Sequence, residues 1–201
     1  MKNDEPLHME ERLTTRLKPG VRTKQKESLN FQLDQRGRPI RFQPWLADAF
    51  AFLYDLFMVR SVFPKKFNAD PKRNAAILSE ALQDVHGQQV LELGTGSGAA
   101  SKYLPPDNAY IGSDISTGLL KIAVKRFRQA GFQDPEFYLA SGDDLPFANA
   151  SFDLCLCLLS LNFIGSQRAV FEGVQALLRP GGTFLVSAPV PERIPQESAI
   201  H

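Results

Sequence analysis

The feature that most constrains the fold of this chain is a short apolar run ending in closely spaced glycines, VLELGTGSGAAS at residues 90–101. The run is typical of a buried strand, although it contains one acid, Glu92, just before its end. Three glycines follow at positions 94, 96 and 98. Glycines at such a place let the backbone turn tightly and approach a ligand without Cβ atoms in the way. The segment therefore predicts a strand, a ligand-binding turn and a helix in succession.

The residues after this segment continue to alternate between strand and helix patterns. Strands are predicted at residues 89–93, 109–113, 136–140, 152–159 and 183–188. Helices are predicted after Asp70 and Pro71 as N-cap and first residue, at 117–129 after the cap Ser116, and at 168–178. Such alternation predicts an α/β fold, a Rossmann-like three-layer sandwich with a mostly parallel sheet, preceded by N-terminal helices.

The N-terminal part of the chain divides by composition into two segments. Residues 1–41 hold ten Lys and Arg against six acids, and we expect a flexible basic arm, either simply solvated or able to bind a polyanion. Residues 42–69 hold eight aromatic side chains and predict a helical extension that must be covered. This extension either packs on the sheet domain or forms a lid over an apolar acceptor, and residues 42–63 are a candidate for peripheral membrane contact.

The glycine turn fits two nucleotide-type ligands. Gly94 to Ala99 satisfies G-x-G-x-x-G/A, and Asp114 ends the second strand 20 residues after Gly94, where a dinucleotide-binding domain places its ribose-binding acid. With Glu92 included, the same letters give E-x-G-x-G-x-G, which fits S-adenosylmethionine (SAM). SAM lacks a pyrophosphate and needs a close turn with acids for its ribose and ammonium groups. The turn alone leaves both alternatives open.

Three further segments carry a resemblance to a known family. YIGSDIS at 110–116, ASGDDLPFANASFDLCL at 140–156 and LLRPGGTFLVS at 177–187 follow the glycine turn in order. With the turn, they resemble the class I SAM-dependent methyltransferases over residues 70–190. The nearest group is the small-molecule one that includes ubiquinone/menaquinone-biosynthesis C-methyltransferases. The resemblance implies that residues 70–201 form a SAM-binding methyltransferase domain.

The resemblance also implies a role for individual residues in holding SAM. Asp114 would accept from both ribose hydroxyls, and Glu92 would hold the ammonium group or else the backbone of the loop. Ser141 stands where the family often has an acid, so the adenine edge would be read by backbone groups there and by the Asp143 side chain. The expected cofactor-binding residues are Glu92, Gly94, Thr95, Gly96, Gly98, Asp114, Ile115, Ser141, Gly142, Asp143 and Leu159.

The expected activity is methyl transfer by in-line displacement to a small, apolar, lipid-like or quinone-like acceptor. We name no catalytic base, since Tyr54 and Asp55 are only faintly similar to a pair in the family and the three histidines lie elsewhere. Two alternatives remain: a catalytically inactive SAM-binding regulatory or assembly protein, and an NAD-dependent oxidoreductase. We expect no metal, because Cys155 and Cys157 suit core packing, and no nucleic acid, because the net charge is only +1.

The C-terminal part of the sequence is short for this family. Only 11 residues follow Val190, so we expect the domain to lack the usual C-terminal antiparallel strand pair. A fragment, a covering partner chain or a naturally short variant would each explain this. The fifth predicted strand would then be an apolar edge, which favours self-association. The composition and the absence of a secretory pattern favour a cytoplasmic location, with membrane-peripheral contact as an addition.

Overall fold

The alternating pattern folds into one mostly parallel sheet in the computed structural model, which describes residues 16–42 and 70–188. The strands are β1 (Thr23–Lys26), β2 (Leu29–Gln32), β3 (Gln89–Leu93), β4 (Ala109–Asp114), β5 (Glu136–Leu139), β6 (Phe152–Leu158) and β7 (Leu178–Ser187). Their order in the sheet is β1-β2-β5-β4-β3-β6-β7, and only the β1–β2 pair is antiparallel. The predicted α/β class is confirmed.

Within residues 16–42 and 70–188, three α-helices begin at caps that the sequence provides. They are α1 (Pro71–Leu82), α2 (Thr117–Gln129) and α3 (Gln167–Leu177). The Asp70 side chain accepts from the Lys72 N–H, and the Ser116 side chain accepts from the Leu119 N–H, as expected of N-caps. No helix within the described ranges combines the length and the apolar content needed to cross a bilayer.

Two apolar clusters form the core, one on each face of the sheet. One cluster joins α2 and the end of α1 to the sheet, and it includes Leu82, Leu120 and Phe127. The other joins α3 to the opposite face and includes Val174. Cys155 lies fully buried in this second cluster, as does Cys157, so both thiols have the predicted core role. Burial raises the pKa of the Cys157 thiol to about 11, which keeps it neutral.

The N-terminal segment differs from the expected flexible arm. Residues 23–32 form the hairpin β1–β2, and β2 pairs in parallel with β5, so these residues extend the sheet. Leu29 is fully buried in the core, and the Asn30 Nδ2 donates to the Phe137 carbonyl at 3.3 Å. The prediction of an unstructured arm is therefore wrong for residues 23–32. Residues 1–15 and the aromatic segment 43–69 lie outside the described residues.

The C-terminal strand starts earlier than predicted. It includes the Pro180-Gly181-Gly182 turn that was expected to separate α3 from the strand. Its register against β6 jumps from the pair Phe152–Leu178 to the pair Leu154–Thr183, so residues 179–182 bulge out of the ladder within the strand. Among the described residues β7 is one edge of the sheet and β1 is the other.

Candidate active site

The candidate site lies at the carboxyl ends of the central strands. The chain passes from β3 outward to β4 and β5, then returns to place β6 on the other side of β3. In open α/β sheets, ligands bind beyond the carboxyl ends of the strands where the order reverses in this way. The glycine loop, residues 94–98, follows β3 directly and stands at this switch point.

The glycine loop is held by hydrogen bonds from neighbouring elements. Its Thr95 N–H donates to the Ser113 carbonyl at 3.0 Å, and its Gly96 N–H donates to Asp114 Oδ2 at 2.9 Å. From α2, the Arg126 guanidinium donates to the Ser97 hydroxyl oxygen at 2.8 Å. The loop conformation is thus set before any ligand binds, which reduces the entropy lost on binding.

Glu92 lies below the loop in a cluster of three oxygen atoms. Its Oε2 accepts from the Thr95 hydroxyl at 2.9 Å and also from the Tyr110 hydroxyl. The two hydroxyl oxygens are themselves 2.6 Å apart. Glu92 is 2% exposed. Of the two roles expected for Glu92, this geometry supports the one in which the carboxyl group holds the loop.

The same cluster explains the protonation behaviour of Glu92. Burial, with a smaller contribution from the Asp114 charge, raises the pKa of Glu92 from 4.5 to about 7 against the opposing hydroxyl donors. Two hydroxyl hydrogens serve only two of the three oxygen–oxygen contacts. When Glu92 is protonated, its O–H donates to one hydroxyl, that hydroxyl turns to donate to the other, and all three contacts are served. The neutral carboxyl therefore completes the ring of hydrogen bonds that the ionised form leaves incomplete.

Gly96 and Gly98 serve different purposes in the loop. A Cβ on Gly98 would lie 2.9 Å from the Ala123 Cα, so this glycine allows α2 to pack against the loop. A Cβ on Gly96, whose φ is +54°, would meet no atom of the described residues within 4 Å. Among the described residues, the position of a Cβ on Gly96 is therefore open, which leaves room for a ligand to approach the backbone closely.

Asp114 is fixed at the end of β4. Its Oδ1 accepts from the Ser116 N–H at 2.9 Å, while its other oxygen accepts from the glycine loop. These two bonds orient the carboxylate, and a carboxylate offers about four acceptor positions in all. Ile115, which comes next, is 39% exposed and presents an apolar surface beside the carboxylate.

The loop after β5 packs against the loop after β6. The Ser141 hydroxyl donates to Asp143 Oδ1 at 2.5 Å, which closes the turn. A Cβ on Gly142 would lie 2.6 Å from Ile164 Cδ1, so Gly142 gives room to that side chain. The turn is thus formed by Ser141, Gly142 and Asp143, and it packs against Ile164 at Gly142. It lies at the same edge of the sheet as the glycine loop.

The end of β6 has an unusual backbone. Leu159 has a φ of +59°, which is uncommon for a residue that is not glycine and often marks a functional site. Its N–H donates to the Ser187 carbonyl at 2.9 Å, and the next residue, Ser160, donates its hydroxyl to the Gly94 carbonyl at 2.7 Å. The end of β6 is therefore connected to β7 through the Leu159 N–H and to the glycine loop through the Ser160 hydroxyl.

Among the residues that contact the predicted site, the side chains of Tyr110, Arg126 and Ile164 were not predicted from the sequence. Each contacts the site from a different element, and each residue type is also common in a core or on a helix surface. For Tyr110 alone a local signal existed, since a buried tyrosine needs a partner for its hydroxyl and Glu92 is the acid on the adjacent strand.

Comparison with known proteins agrees with this geometry. Residues 91–186 match a family model described as a methyltransferase domain. The demethylmenaquinone methyltransferase of Clavibacter sepedonicus is 31% identical over 118 residues, which are 56% of this chain and 47% of that protein. The fatty-acid O-methyltransferase of Mycolicibacterium smegmatis is 33% identical over 108 residues, which are 52% and 38% of the two chains. The chain spans about half the length or less of these relatives.

A solved structure supports the same fold. A putative SAM-dependent methyltransferase from Methanococcus maripaludis superposes with a TM-score of 0.53 at 19% identity, covering 70% of this chain and 63% of that one. At this identity the likeness concerns the fold alone. Residues 91–186 thus match a methyltransferase domain in sequence, and the sheet topology and the glycine loop agree with the fold of SAM-dependent methyltransferases.

Proposed function

We propose that this protein is a SAM-dependent methyltransferase that acts on a small apolar acceptor. The observation that carries the proposal is the open space above Gly96, beside a carboxylate that is already oriented. A preformed turn without Cβ atoms on its ligand side fits a cofactor bound close to the backbone. The match to a methyltransferase domain supports SAM as that cofactor, and the names of the relatives support the class of acceptor.

In this proposal each loop at the carboxyl edge holds one part of SAM. The loop from Gly94 to Gly98, including Thr95, lies against the methionine part, and Asp114 accepts from the ribose hydroxyls. Ile115 packs on the adenine, whose edge is read by the group Ser141, Gly142 and Asp143. Leu159 borders the methyl end. Glu92 acts as a positioning residue, because its carboxyl group is buried beneath the loop.

When bound, SAM supplies a methyl group that is attached to a sulfonium sulfur, and the neutral thioether that this sulfur becomes is a good leaving group. The chain's own residues then have two tasks, to align the acceptor and to exclude water. No described histidine lies at the site, since His86 pairs with Asp107 near the amino end of β3. The proposed transfer depends on how the site orients the acceptor toward the methyl group.

The exposed apolar side chains of the site edge support an apolar acceptor. Phe163, five residues after the end of β6, is 67% exposed. Together with Ile115 it gives the edge an apolar character that an acceptor of the quinone or fatty-acid kind would cover. The relatives named above act, by their names, on demethylmenaquinone and on fatty acids.

Cofactor binding is tested by calorimetric titration of the chain with S-adenosylhomocysteine and with NAD. We expect binding of S-adenosylhomocysteine only, and a loss of about tenfold or more in affinity for Gly96→Ala, because the new Cβ occupies the ligand side of the loop. Gly37→Ala is the matched control, since Gly37 also has a positive φ and open space around its Cβ position. Binding of NAD in place of S-adenosylhomocysteine would refute the proposal.

Catalysis is tested separately by transfer of a labelled methyl group from SAM into a lipid extract. We expect label in the apolar fraction, and much less label with Gly96→Ala at a cofactor concentration near the dissociation constant of the parent protein. Cofactor binding with no transfer into lipids or into other small molecules would instead favour a catalytically inactive SAM-binding protein.

A further inference from the structure

The strongest unexplained feature of the molecule is a concentration of positive charge in two segments of the chain. Residues 16–42 hold eight Lys and Arg against two acids, and α2 holds four Lys and Arg and no acid. The whole chain has a net charge of only +1, so the remaining residues are acidic overall. Charge segregated in this way produces a local field that the net charge conceals.

The hairpin and α2 meet, so their charges belong to one surface. Lys121 Nζ lies 2.8 Å from Glu27 Oε2, and the Arg128 guanidinium donates to the Ser28 hydroxyl at 2.9 Å. Both contacts join α2 to the turn between β1 and β2. Lys121, Lys125 and Arg128 are spaced i, i+4 and i+7, which places them along one stripe of the helix.

Strand register places two more lysines on the same side of the sheet. Lys24 pairs with Phe31, and Lys26 pairs with Leu29. Directly opposed residues in an antiparallel pair point to the same face. Leu29 and Phe31 pack into the core cluster that contains α2, so Lys24 and Lys26 lie on the α2 side. The basic surface is therefore Lys24, Lys26, Lys121, Lys125 and Arg128, all exposed, with Glu27 as the acid within it.

We propose that this basic surface docks the protein on an anionic lipid bilayer. Four of its five cations are lysines, which act as point charges toward lipid phosphate and carboxylate groups, whereas nucleic-acid readers favour the planar fork of arginine. The exposed large apolar residues of the described ranges are Ile77, Ile115, Phe163 and Phe171, and none lies on the hairpin or on α2. The surface thus lacks the aromatic platform on which single-stranded RNA bases stack.

The position of the surface relative to the site fits this role. Helix α2 begins three residues after Asp114, at the proposed ribose end of the cofactor site, and its basic stripe starts about one turn later, at Lys121. Docking through this face would bring the site edge to the layer that contains apolar acceptors. This step rests on the proposed function, whereas the docking itself depends only on the surface charge.

The test is cosedimentation of the full chain with vesicles, either pure phosphatidylcholine or phosphatidylcholine mixed with phosphatidylglycerol. We expect binding to the anionic vesicles only, with release as NaCl shortens the screening length. The variant Lys26→Gln with Lys125→Gln should weaken binding about tenfold or more, since each cation contributes roughly fivefold at an anionic surface. Lys72→Gln with Arg73→Gln, two exposed cations on α1, is the matched control and should bind nearly as the parent does.

Several results would overturn the proposal. Equal binding to both kinds of vesicle would show that charge does not drive docking. An equal loss of vesicle binding in the two double variants would show that docking does not depend on the basic surface. Binding of transfer RNA, lost in the surface variant, without vesicle binding would make the surface a nucleic-acid site. Surface-dependent vesicle binding without any methyl transfer would support the docking surface and count against the proposed function alone.

Discussion

At the scale of single residues, the ring of oxygens around Glu92 connects the cofactor loop to a protonation equilibrium. The Glu92 carboxyl group accepts hydrogen bonds from the hydroxyls of Thr95 and Tyr110. It also interacts electrostatically with Asp114 on the adjacent strand and with Cys157 on β6. None of these groups is a cation that would balance a buried carboxylate. The structure therefore favours the neutral form of Glu92 more strongly than water does.

This preference predicts how stability changes with pH. The pKa of Glu92 is about 7 in the folded chain against 4.5 ordinarily, so the folded state holds this proton more tightly than the unfolded state. The free energy of unfolding should therefore fall as pH rises from about 4.5 to about 7, by about 3 kcal/mol from this group. Urea denaturation at about pH 5 and about pH 8 measures the change.

Two substitutions isolate the contribution of Glu92. Glu92→Gln keeps the shape and removes the titration, so its stability should depend much less on pH than that of the parent. Glu136→Gln is the control, because Glu136 also accepts from a tyrosine hydroxyl, that of Tyr138, but lies away from the glycine loop. Burial also raises the pKa of Glu136, so its removal should flatten the profile only in part. Parallel profiles for Glu92→Gln and the parent would contradict the prediction.

At the scale of elements, the glycine loop depends on α2 as much as on β3. Arg126 of α2 donates to the Ser97 hydroxyl, and Ala123 of α2 lies where it would touch a Cβ on Gly98. The helix therefore supports the loop from one side. The loop in turn lets α2 lie close to the sheet. Cofactor site and helix packing are thus parts of one arrangement.

We expect Gly98→Ala to destabilise the domain by about 2–4 kcal/mol. The new Cβ would lie 2.9 Å from the backbone of Ala123, which cannot move aside as a side chain end can, and the φ of +82° adds strain. Gly96→Ala should cost only about 1 kcal/mol, since it adds strain without a close contact. Urea midpoints that are equal for the two variants would show that α2 does not press on the loop.

The elements themselves could be predicted from the sequence better than the contacts between them. Periodicity and caps predicted β3, β6 and α2 because these signals are local, and the bounds agree to within a residue. The positive φ of Leu159 left no such signal, because leucine rarely adopts a positive φ and the hydrogen bond that holds this residue goes to Ser187 of β7. The contacts of Tyr110 and Ile164 likewise arise only when distant segments meet.

At the scale of the whole molecule, the N-terminal hairpin makes the sheet wider than the sequence indicated. Its turn residues, Glu27 and Ser28, both have positive φ, as a type I′ turn requires, yet neither is the Asn or Gly that usually marks such a turn. Strand β1 is polar and rich in lysine, which suits an exposed edge but resembles a solvated arm. The alternation Leu29, Asn30, Phe31, Gln32 in β2 was the one local sign of a strand.

The hairpin should therefore unfold together with the domain. Leu29 is fully buried and Asn30 bonds to a carbonyl 107 residues away, so the segment shares the core of the sheet. We expect Leu29→Ala to lower the free energy of unfolding by about 2–5 kcal/mol, as for other buried leucines. The change should appear in the single global transition followed by urea denaturation.

A leucine outside the strands gives the control for this prediction. Leu33 is half-buried beyond the end of β2, where its backbone bridges to Pro39 and its N–H donates to the Arg22 carbonyl. Because Leu33→Ala leaves these backbone contacts in place and removes a side chain that is only half-buried, it should cost much less than Leu29→Ala. If the hairpin were an appended arm, Leu29→Ala would leave the global transition unchanged and would only speed amide exchange within residues 23–32. The basic surface would then lose its fixed geometry, because Lys24 and Lys26 owe their place beside α2 to the same pairing that buries Leu29.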